Sequence, residues 1–206
     1  MKKMPLIIAH RGGKFWKSKN FSYITESIKV GADFIELDIR FKDGHYFVQH
    51  EPFDIYQGLL SDALKRIGKT GIYLDIKDVP DVNELIAYVR KHVKGPIAAG
   101  FFDLKYLKDI KDRRVIKIVH CLVEGPAIKD AKKVGAKWIT PFVYMATHGF
   151  AKDIQAAGFK FVPGGNELFQ EHEIMEDLVK FASWGAYAIA TFHVKKVKRL
   201  LNKKSR

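Results

Sequence analysis

The 206-residue sequence contains a single cysteine, Cys121. One cysteine cannot form an internal disulfide, and a low cysteine content is typical of a protein in a reducing compartment. The sequence also lacks an apolar run of the length that a transmembrane helix needs. The apolar stretch at residues 5–9 is too short for the core of a secretory signal. These absences lead us to expect a cytoplasmic protein.

Acidic residues are also scarce, with 23 Asp and Glu against 36 Lys and Arg, which gives a net charge of +13. Such an excess favours anionic partners, namely phosphate esters, nucleic acids or an acidic membrane surface, and does not choose among them. Hydrophobic residues make up 47% of the chain, which excludes disorder as the dominant state. The length suits one domain with a sizeable core, so we expect a single domain over residues 1–206.

Short β-rich runs alternate with amphipathic stretches along the whole chain. Residues 6–9, 34–39, 72–76 and 115–119 have the composition of strands, whereas residues 82–92 place apolar side chains at helical spacing. Strands that alternate with helices indicate parallel pairing through right-handed crossovers. Eight such units fit into the chain, which predicts a compact α/β protein, a TIM (β/α)8 barrel. An open, doubly wound sheet is the alternative.

Polar residues collect at the ends of the predicted strands, which meet at one mouth in a barrel. Glu36 and Asp38 are two residues apart on one strand and therefore point to the same face, and Asp75 ends another strand. Three carboxylates at one mouth repel each other unless a cation lies between them. A set of carboxylate oxygens suits Mg²⁺ or Ca²⁺ better than zinc. The sequence therefore predicts a divalent metal ion as cofactor.

Two histidines, His10 and His50, follow neighbouring predicted strands. A hairpin turn at residues 43–44 precedes His50, and the length of this turn decides which way His50 points. A three-residue bulged turn sets His50 opposite Glu36 on the same face, whereas a two-residue turn pairs His50 with Leu37 on the other face. An active-site role for His50 therefore predicts the bulged turn. Two histidines beside a carboxylate cluster indicate an acid and a base.

Arg11 and Lys77 bring two positive charges to the same mouth. Together with a cation, an arginine and a lysine form a clamp for phosphate. The predicted reaction is cleavage of a small-molecule phosphodiester, in which one histidine takes a proton from the nucleophile and the other protonates the leaving alkoxide.

These motifs resemble the glycerophosphodiester phosphodiesterase family, within the superfamily of phosphodiesterases similar to phosphatidylinositol phospholipase C. The resemblance is carried by residues 8–13, 31–38, 43–51 and 74–77. It implies a TIM barrel that hydrolyses glycerophosphodiesters to glycerol phosphate and an alcohol with the help of a divalent metal. By the family pattern, the acid and base are His10 and His50, the metal ligands are Glu36, Asp38 and Asp75, and the phosphate is held by Arg11 and Lys77.

The sequence departs from the family pattern in several places. Residues 17–21 lack the acid of the family's Glu-Asn-Thr motif, Asp75 stands where the family has a longer Glu, and Phe192 replaces a closing Asp. The family's usual insertion is nearly absent, since only residues 52–71 separate the His50 and Asp75 motifs. Glu167 is a candidate for a replacement carboxylate, although a surface position is the favoured interpretation.

Two other functions stay open. One is a lyase that forms a cyclic phosphate, similar to spider-venom phospholipases D and bacterial phosphatidylinositol phospholipases. The other is a non-catalytic phosphate-binding relative. Residues 14–19 join aromatic and basic side chains and are a candidate for contact with lipid headgroups, the alternative being a segment that covers the barrel rim. Residues 195–206 are interpreted as a solvated final helix, so nucleic acid is not expected as a partner.

Overall fold

The computed structural model describes residues 4–14, 20–53, 57–101, 103–121, 124–164 and 175–204. The strands are β1 (Leu6–Ala9), β2 (Phe34–Lys42), β3 (His45–Val48), β4 (Gly58–Leu59), β5 (Gly71–Asp78), β6 (Ile97–Phe101), β7 (Ile116–Cys121), β8 (Trp138–Pro141), β9 (Lys160–Phe161) and β10 (Ala188–Thr191). The helices are α1 (Ser22–Lys29), α2 (Leu60–Ile67), α3 (Val82–His92), α4 (Leu104–Asp109), α5 (Glu124–Val134), α6 (His148–Ala156), α7 (Met175–Ser183) and α8 (Val194–Lys204). Short 3₁₀ turns cover His10–Gly12 and Val143–Met145.

Eight of the described strands pair in parallel in the order β10-β1-β2-β5-β6-β7-β8-β9. The two ends of this order meet through the backbone. The Tyr187 amide donates to the Phe161 carbonyl at 2.8 Å, and the Ala190 amide donates to the Pro163 carbonyl at 3.3 Å. The sheet is therefore closed, with a helix following nearly every barrel strand, and the predicted TIM barrel is confirmed.

Local sequence signals account for the individual helices. In α3, the Asp81 side chain accepts hydrogen bonds from the Asn83 and Glu84 amides at 2.7 and 3.2 Å, which satisfies two free donors at the helix start. Leu85 and Val89 lie four residues apart on the buried face of the same helix. The cap and the apolar stripe together explain why the helix begins here and which side it turns to the sheet.

The barrel interior contains a small cluster of apolar side chains, which is separate from the larger core between the strands and the helices. Its lower part is filled by Ile8, Phe34, Tyr73, Ala98, Ile118, Trp138, Val162 and Ala188. Because side chains alternate along a strand, the residue two positions further on also points inward. On the parallel strands that next position lies nearer the carboxyl ends, so it faces the mouth. These mouth positions are His10, Glu36, Asp75, Gly100, His120, Thr140, Gly164 and Ala190.

The hairpin between β2 and β3 differs from the sequence prediction. Asp43 and Gly44 form a two-residue loop with φ values of 50° and 80°, and Lys42 pairs directly with His45. The predicted bulged turn is therefore wrong. Two positive φ values are typical of a type I′ turn, whose twist matches that of the flanking strands, and the Asp-Gly pair tolerates both. The twist of the flanking strands therefore selects the two-residue turn. The prediction of a bulged turn was based instead on an assumed active-site orientation of His50.

Some sequence predictions concern residues outside the described ranges. Residues 15–19 of the aromatic and basic segment, Glu167 and residues 205–206 are among them. The rest of the basic tail forms helix α8, as expected. Within the described ranges, no helix is both long enough and apolar enough to cross a bilayer.

Candidate active site

The turn that follows β1 directs several groups into the mouth. Arg11 adopts φ 49° in the left-handed region, which is uncommon for a residue with a side chain, and its amide donates to Glu36 Oε2 at 2.6 Å. The next residue, Gly12, also has a positive φ, and a Cβ there would lie 2.9 Å from Cδ2 of the Tyr23 ring. The sequence His-Arg-Gly thus permits a tight turn that packs on α1 while it presents His10 and Arg11 to the interior.

Three carboxylates meet at this mouth, as the sequence predicts. Strand β2 supplies Glu36 and Asp38, and β5 supplies Asp75, which pairs in register with Asp38. One oxygen from each carboxylate lies within 4.8 Å of the others, and all three residues are buried. Parallel pairing of β2 with β5 is what joins them, because it sets the carboxyl ends of both strands at the same level.

The two predicted cations lie among these carboxylates. Lys77 Nζ is 3.2 Å from Asp38 Oδ1 and 3.0 Å from Asp75 Oδ2. Arg11 Nε is 3.5 Å from Asp38 Oδ2, and the Arg11 side chain is almost completely buried. Two cations against three carboxylates leave one negative charge uncompensated if all three acids are ionised.

Electrostatics of the cluster oppose that full ionisation. Burial raises the pKa of Glu36 well above its ordinary value, and the charges of Asp38 and Asp75 raise it further, while the Arg11 amide acts in the opposite direction. Burial also raises the pKa of Asp38, although the Lys77 ammonium counteracts part of this effect. The site is therefore short of positive charge.

The donor set fits a divalent cation. Glu36 Oε2 accepts the Arg11 amide, whereas Glu36 Oε1 is buried and has no hydrogen-bond partner among the described residues. A buried carboxylate oxygen without a donor is costly. A hard cation bound by Glu36, Asp38 and Asp75 would satisfy this oxygen and supply the missing charge.

The path of β3, and not a bulged turn, positions His50 at the same mouth. One edge of β2 pairs with β5, so the other edge holds β1 at Phe34 and β3 from Ile39 onward. Strand β3 therefore lies beyond the carboxyl end of β1 on the same edge of β2. Because β3 is antiparallel to β2, it runs back towards that end of β1, where His10 lies. The Arg40 guanidinium then donates two hydrogen bonds, of 3.0 and 2.7 Å, to the His50 carbonyl. These bonds fix the backbone of His50 beyond the last paired residue.

Both histidines are nearly enclosed, with exposures of 8% for His10 and 7% for His50. His10 Nε2 lies 3.8 Å from Glu36 Oε2, and its ring packs on Phe192 with centroids 4.6 Å apart. His50 Nδ1 lies 3.3 Å from Glu51 Oε1, so Glu51 is placed to orient the His50 ring. His10 thus lies beside Glu36, and His50 is near enough to the cluster for its charge to lower the pKa of Asp38.

Two further residues at the base of the mouth were not identified from the sequence. Tyr73 on β5 and His120 on β7 hydrogen-bond across the interior, with Tyr73 Oη 2.5 Å from His120 Nε2. Gly100 leaves room for them, since a Cβ there would lie 2.9 Å from Tyr73 Oη. They line a cavity of about 30 Å³ together with Glu36 and Thr140. The alternation rule applied to β7 could have identified His120, two residues after the inward-facing Ile118.

Solved structures with this barrel include phosphodiesterases. A phosphodiesterase from Oleispira antarctica, in complex with the product sn-glycerol-3-phosphate, gives a TM-score of 0.77 at 15% identity over 97% of each chain. A glycerophosphodiester phosphodiesterase from Parabacteroides distasonis gives a TM-score of 0.76 at 16% identity over 100% of each chain. The chain therefore has the fold of glycerophosphodiester phosphodiesterases.

The same barrel also occurs with other activities. A phosphoribosyl anthranilate isomerase from Thermus thermophilus gives a TM-score of 0.61 at 12% identity over 98% of each chain. No protein-family model matches the sequence, and no curated protein matches it. At these identities the comparisons establish the fold, so the function has to be argued from the site.

Proposed function

We propose that this protein is a metal-dependent phosphodiesterase of the glycerophosphodiester phosphodiesterase family, which hydrolyses glycerophosphodiesters to glycerol phosphate and an alcohol. The observation that carries the proposal is the meeting of Glu36, Asp38 and Asp75 in one buried cluster with His10 and His50 at its rim. The shared fold with a phosphodiesterase bound to sn-glycerol-3-phosphate supports the substrate class.

The two histidines transfer protons in this mechanism. One imidazole accepts the proton of the attacking nucleophile, and the other donates a proton to the leaving alkoxide. Glu51 beside His50 Nδ1 favours the tautomer that carries its proton on Nδ1 and not on Nε2, while the Phe192 ring packs on His10 at the mouth. Enclosure of both rings in the barrel strengthens these interactions, because little water competes for them.

The positive side chains hold the phosphate. Arg11 and Lys77 lie within 3.5 Å of carboxylate oxygens in the cluster. A phosphate that binds at the cluster therefore contacts both positively charged side chains next to the divalent ion. A divalent cation held by Glu36, Asp38 and Asp75 would supply Lewis-acid stabilisation of the phosphate charge. The three carboxylates and two cations thus form a binding site for one anionic phosphodiester together with one divalent ion.

An activity panel with and without a chelator tests the proposal. The substrates are glycerophosphodiesters, lysophospholipids and bis(p-nitrophenyl) phosphate, each with Mg²⁺ or Ca²⁺. We expect release of glycerol phosphate that EDTA abolishes and that either added ion restores. Turnover that is unaffected by EDTA would contradict the metal role.

Phosphorus NMR of the products separates hydrolysis from the lyase reaction. Free glycerol phosphate as the first product supports the proposal, whereas a cyclic phosphate that persists would indicate attack by a substrate hydroxyl. Measurable binding of glycerol phosphate without turnover of any diester would instead indicate a phosphate-binding relative.

A further inference from the structure

A second concave surface lies beside the mouth, between α1 and α8. It is a groove of about 460 Å³, here called the basic groove. Among the residues that the structure describes, four positively charged side chains line it, and they are Lys14, Lys195, Lys196 and Arg199. The carboxylate cluster and the small cavity of the mouth do not include any of these four residues.

Helical periodicity explains why the charges collect there. In α8 the apolar residues Val194, Val197 and Leu201 are buried against the barrel. Lys195, Lys196 and Arg199 therefore fall on the exposed side of the first two turns. The helix dipole disfavours positive charges near a helix start, and the first turn of α8 has no acidic residue to compensate them.

Acidic side chains are scarce among the described residues that line the groove. Glu26 is the carboxylate in that set, and it is paired with Lys29 at 2.9 Å. Among the described residues, no carboxylate forms an ion pair with Lys195, Lys196 or Arg199. The pKa of His193 reports the same excess, since burial lowers it and the charges of Lys14 and Lys196 lower it further.

The basic groove is separated from the site by a single ring. Phe192 lines the groove on one side, and on the other its ring packs on His10 with centroids 4.6 Å apart. Tyr23, which lines the groove as well, packs beneath Gly12 in the turn that carries Arg11. A molecule held at His10 by its phosphodiester therefore has the basic groove as the adjoining surface.

We propose that the basic groove binds a second anionic group on the substrate, so that the preferred substrates are glycerophosphodiesters whose alcohol part itself carries a phosphate. This inference rests on the proposed function. The positive charges of Lys195, Lys196 and Arg199, which pair with no carboxylate among the described residues, attract an anionic alcohol part and repel a cationic one such as choline. The basic groove thus selects among substrates by the charge of the alcohol part, while the chemistry stays at the mouth.

Three soluble diesters test the selection at low ionic strength. They are bis(glycerophospho)glycerol with an anionic alcohol part, glycerophosphoglycerol with an uncharged one and glycerophosphocholine with a cationic one. We expect kcat/KM for bis(glycerophospho)glycerol to exceed that for glycerophosphoglycerol by about tenfold, beyond the roughly twofold gain from its two equivalent diesters, with glycerophosphocholine the slowest. High salt should remove most of the preference.

Matched variants on α8 locate the effect. Lys196→Gln and Arg199→Gln should each reduce the preference for bis(glycerophospho)glycerol about threefold or more and leave glycerophosphoglycerol nearly unchanged. Lys203→Gln removes the same charge from an exposed position of the same helix outside the groove, and should leave the preference intact. A native preference of twofold or less, or an equal loss in all three variants, would overturn the proposal.

Binding measurements separate this inference from the proposed function. If no diester is hydrolysed, the proposed function fails, and calorimetry with bis(glycerophospho)glycerol still tests the groove. Binding that Arg199→Gln weakens and Lys203→Gln does not would support it. Absence of binding would overturn it, as would binding only to phosphatidylglycerol vesicles, which would assign the charges to a membrane surface.

Discussion

The interior of the barrel has two halves that differ sharply although the same strands build both. In the lower half Phe34 packs edge to face on Trp138, with ring centroids 5.4 Å apart. Two residues further along β2, Glu36 lies buried with a raised pKa, and one of its oxygens has no hydrogen-bond donor among the described residues. One half therefore stabilises the fold, and the other holds charges that do not favour folding by themselves. The dry lower half is what allows the upper half to keep buried ionisable groups.

The largest expected effect belongs to the lower half. Trp138→Ala should lower the free energy of unfolding by about 3–5 kcal/mol, because it removes a buried ring that contacts both Phe34 and Tyr187. Urea unfolding measures this loss. Trp184→Ala, on the partly exposed outer surface, is the control and should cost less. An equal or smaller loss at Trp138 would contradict the assignment of the lower half as the stabilising one.

Substitutions of the mouth histidines should show the opposite pattern. His10→Ala and His50→Ala should each reduce kcat by about 10² or more, since each ring is proposed to transfer a proton. Chemical denaturation should reveal a much smaller effect on unfolding than Trp138→Ala causes. His92→Ala on α3, where the ring contacts the Tyr88 carbonyl and ring of its own helix, provides the control for activity. Near-normal kcat in both mouth variants would rule out the proton-transfer mechanism.

The cation site gives an intermediate effect. Mg²⁺ or Ca²⁺ at about one hundred times its dissociation constant should raise the free energy of unfolding by about 2.7 kcal/mol, as expected for a ligand that binds only the folded state. Glu36→Gln keeps the side-chain shape but removes the charge, so the added ion should no longer raise the free energy of unfolding appreciably. The exposed Glu84→Gln on α3 should retain it. Equal stabilisation of both variants would place the cation elsewhere.

The smallest expected effect lies outside the barrel interior. Asp112 accepts hydrogen bonds from Arg114 and Arg90. These bonds hold the pKa of Asp112 well below its ordinary value of 3.8, and the bonds from Arg114 have the larger influence. A lowered carboxyl pKa gives stability that is present above pH 3.8 and is lost as the pH falls through the folded value. Asp112→Asn should therefore cost about 1 kcal/mol or less at pH 7. The cost should shrink below pH 3.8, which unfolding curves at pH 7 and pH 3 can compare. A cost that is independent of pH would contradict the ion-pair explanation.

Elements with strong local signals were predicted well from the sequence. The helix at residues 82–92 and the strand at residues 6–9 have the predicted bounds, because capping, apolar spacing and short apolar runs act within a few residues. The convergence of Glu36, Asp38 and Asp75 also followed from the sequence, since the carboxyl ends of parallel strands share one mouth.

The hairpin and the position of His120 were not predicted, for two different reasons. An Asp-Gly pair fits both a two-residue and a three-residue turn, and the twist of β2 and β3 selected the shorter one. His120 was overlooked because strand β7 was predicted to end at Val119, whereas it continues to Cys121. An error of two residues at a strand end was enough to hide a residue that faces the mouth.

Alternation and spacing within short segments were sufficient to predict the barrel and the acidic, histidine-bearing end of its first strands. Three other features became visible only in the folded chain: β3 returns beyond the end of β1, Tyr73 contacts His120, and α1 and α8 enclose the basic groove. Those arrangements join segments far apart in the chain. Their positions follow from pairing and packing between distant segments, which local residue patterns do not encode.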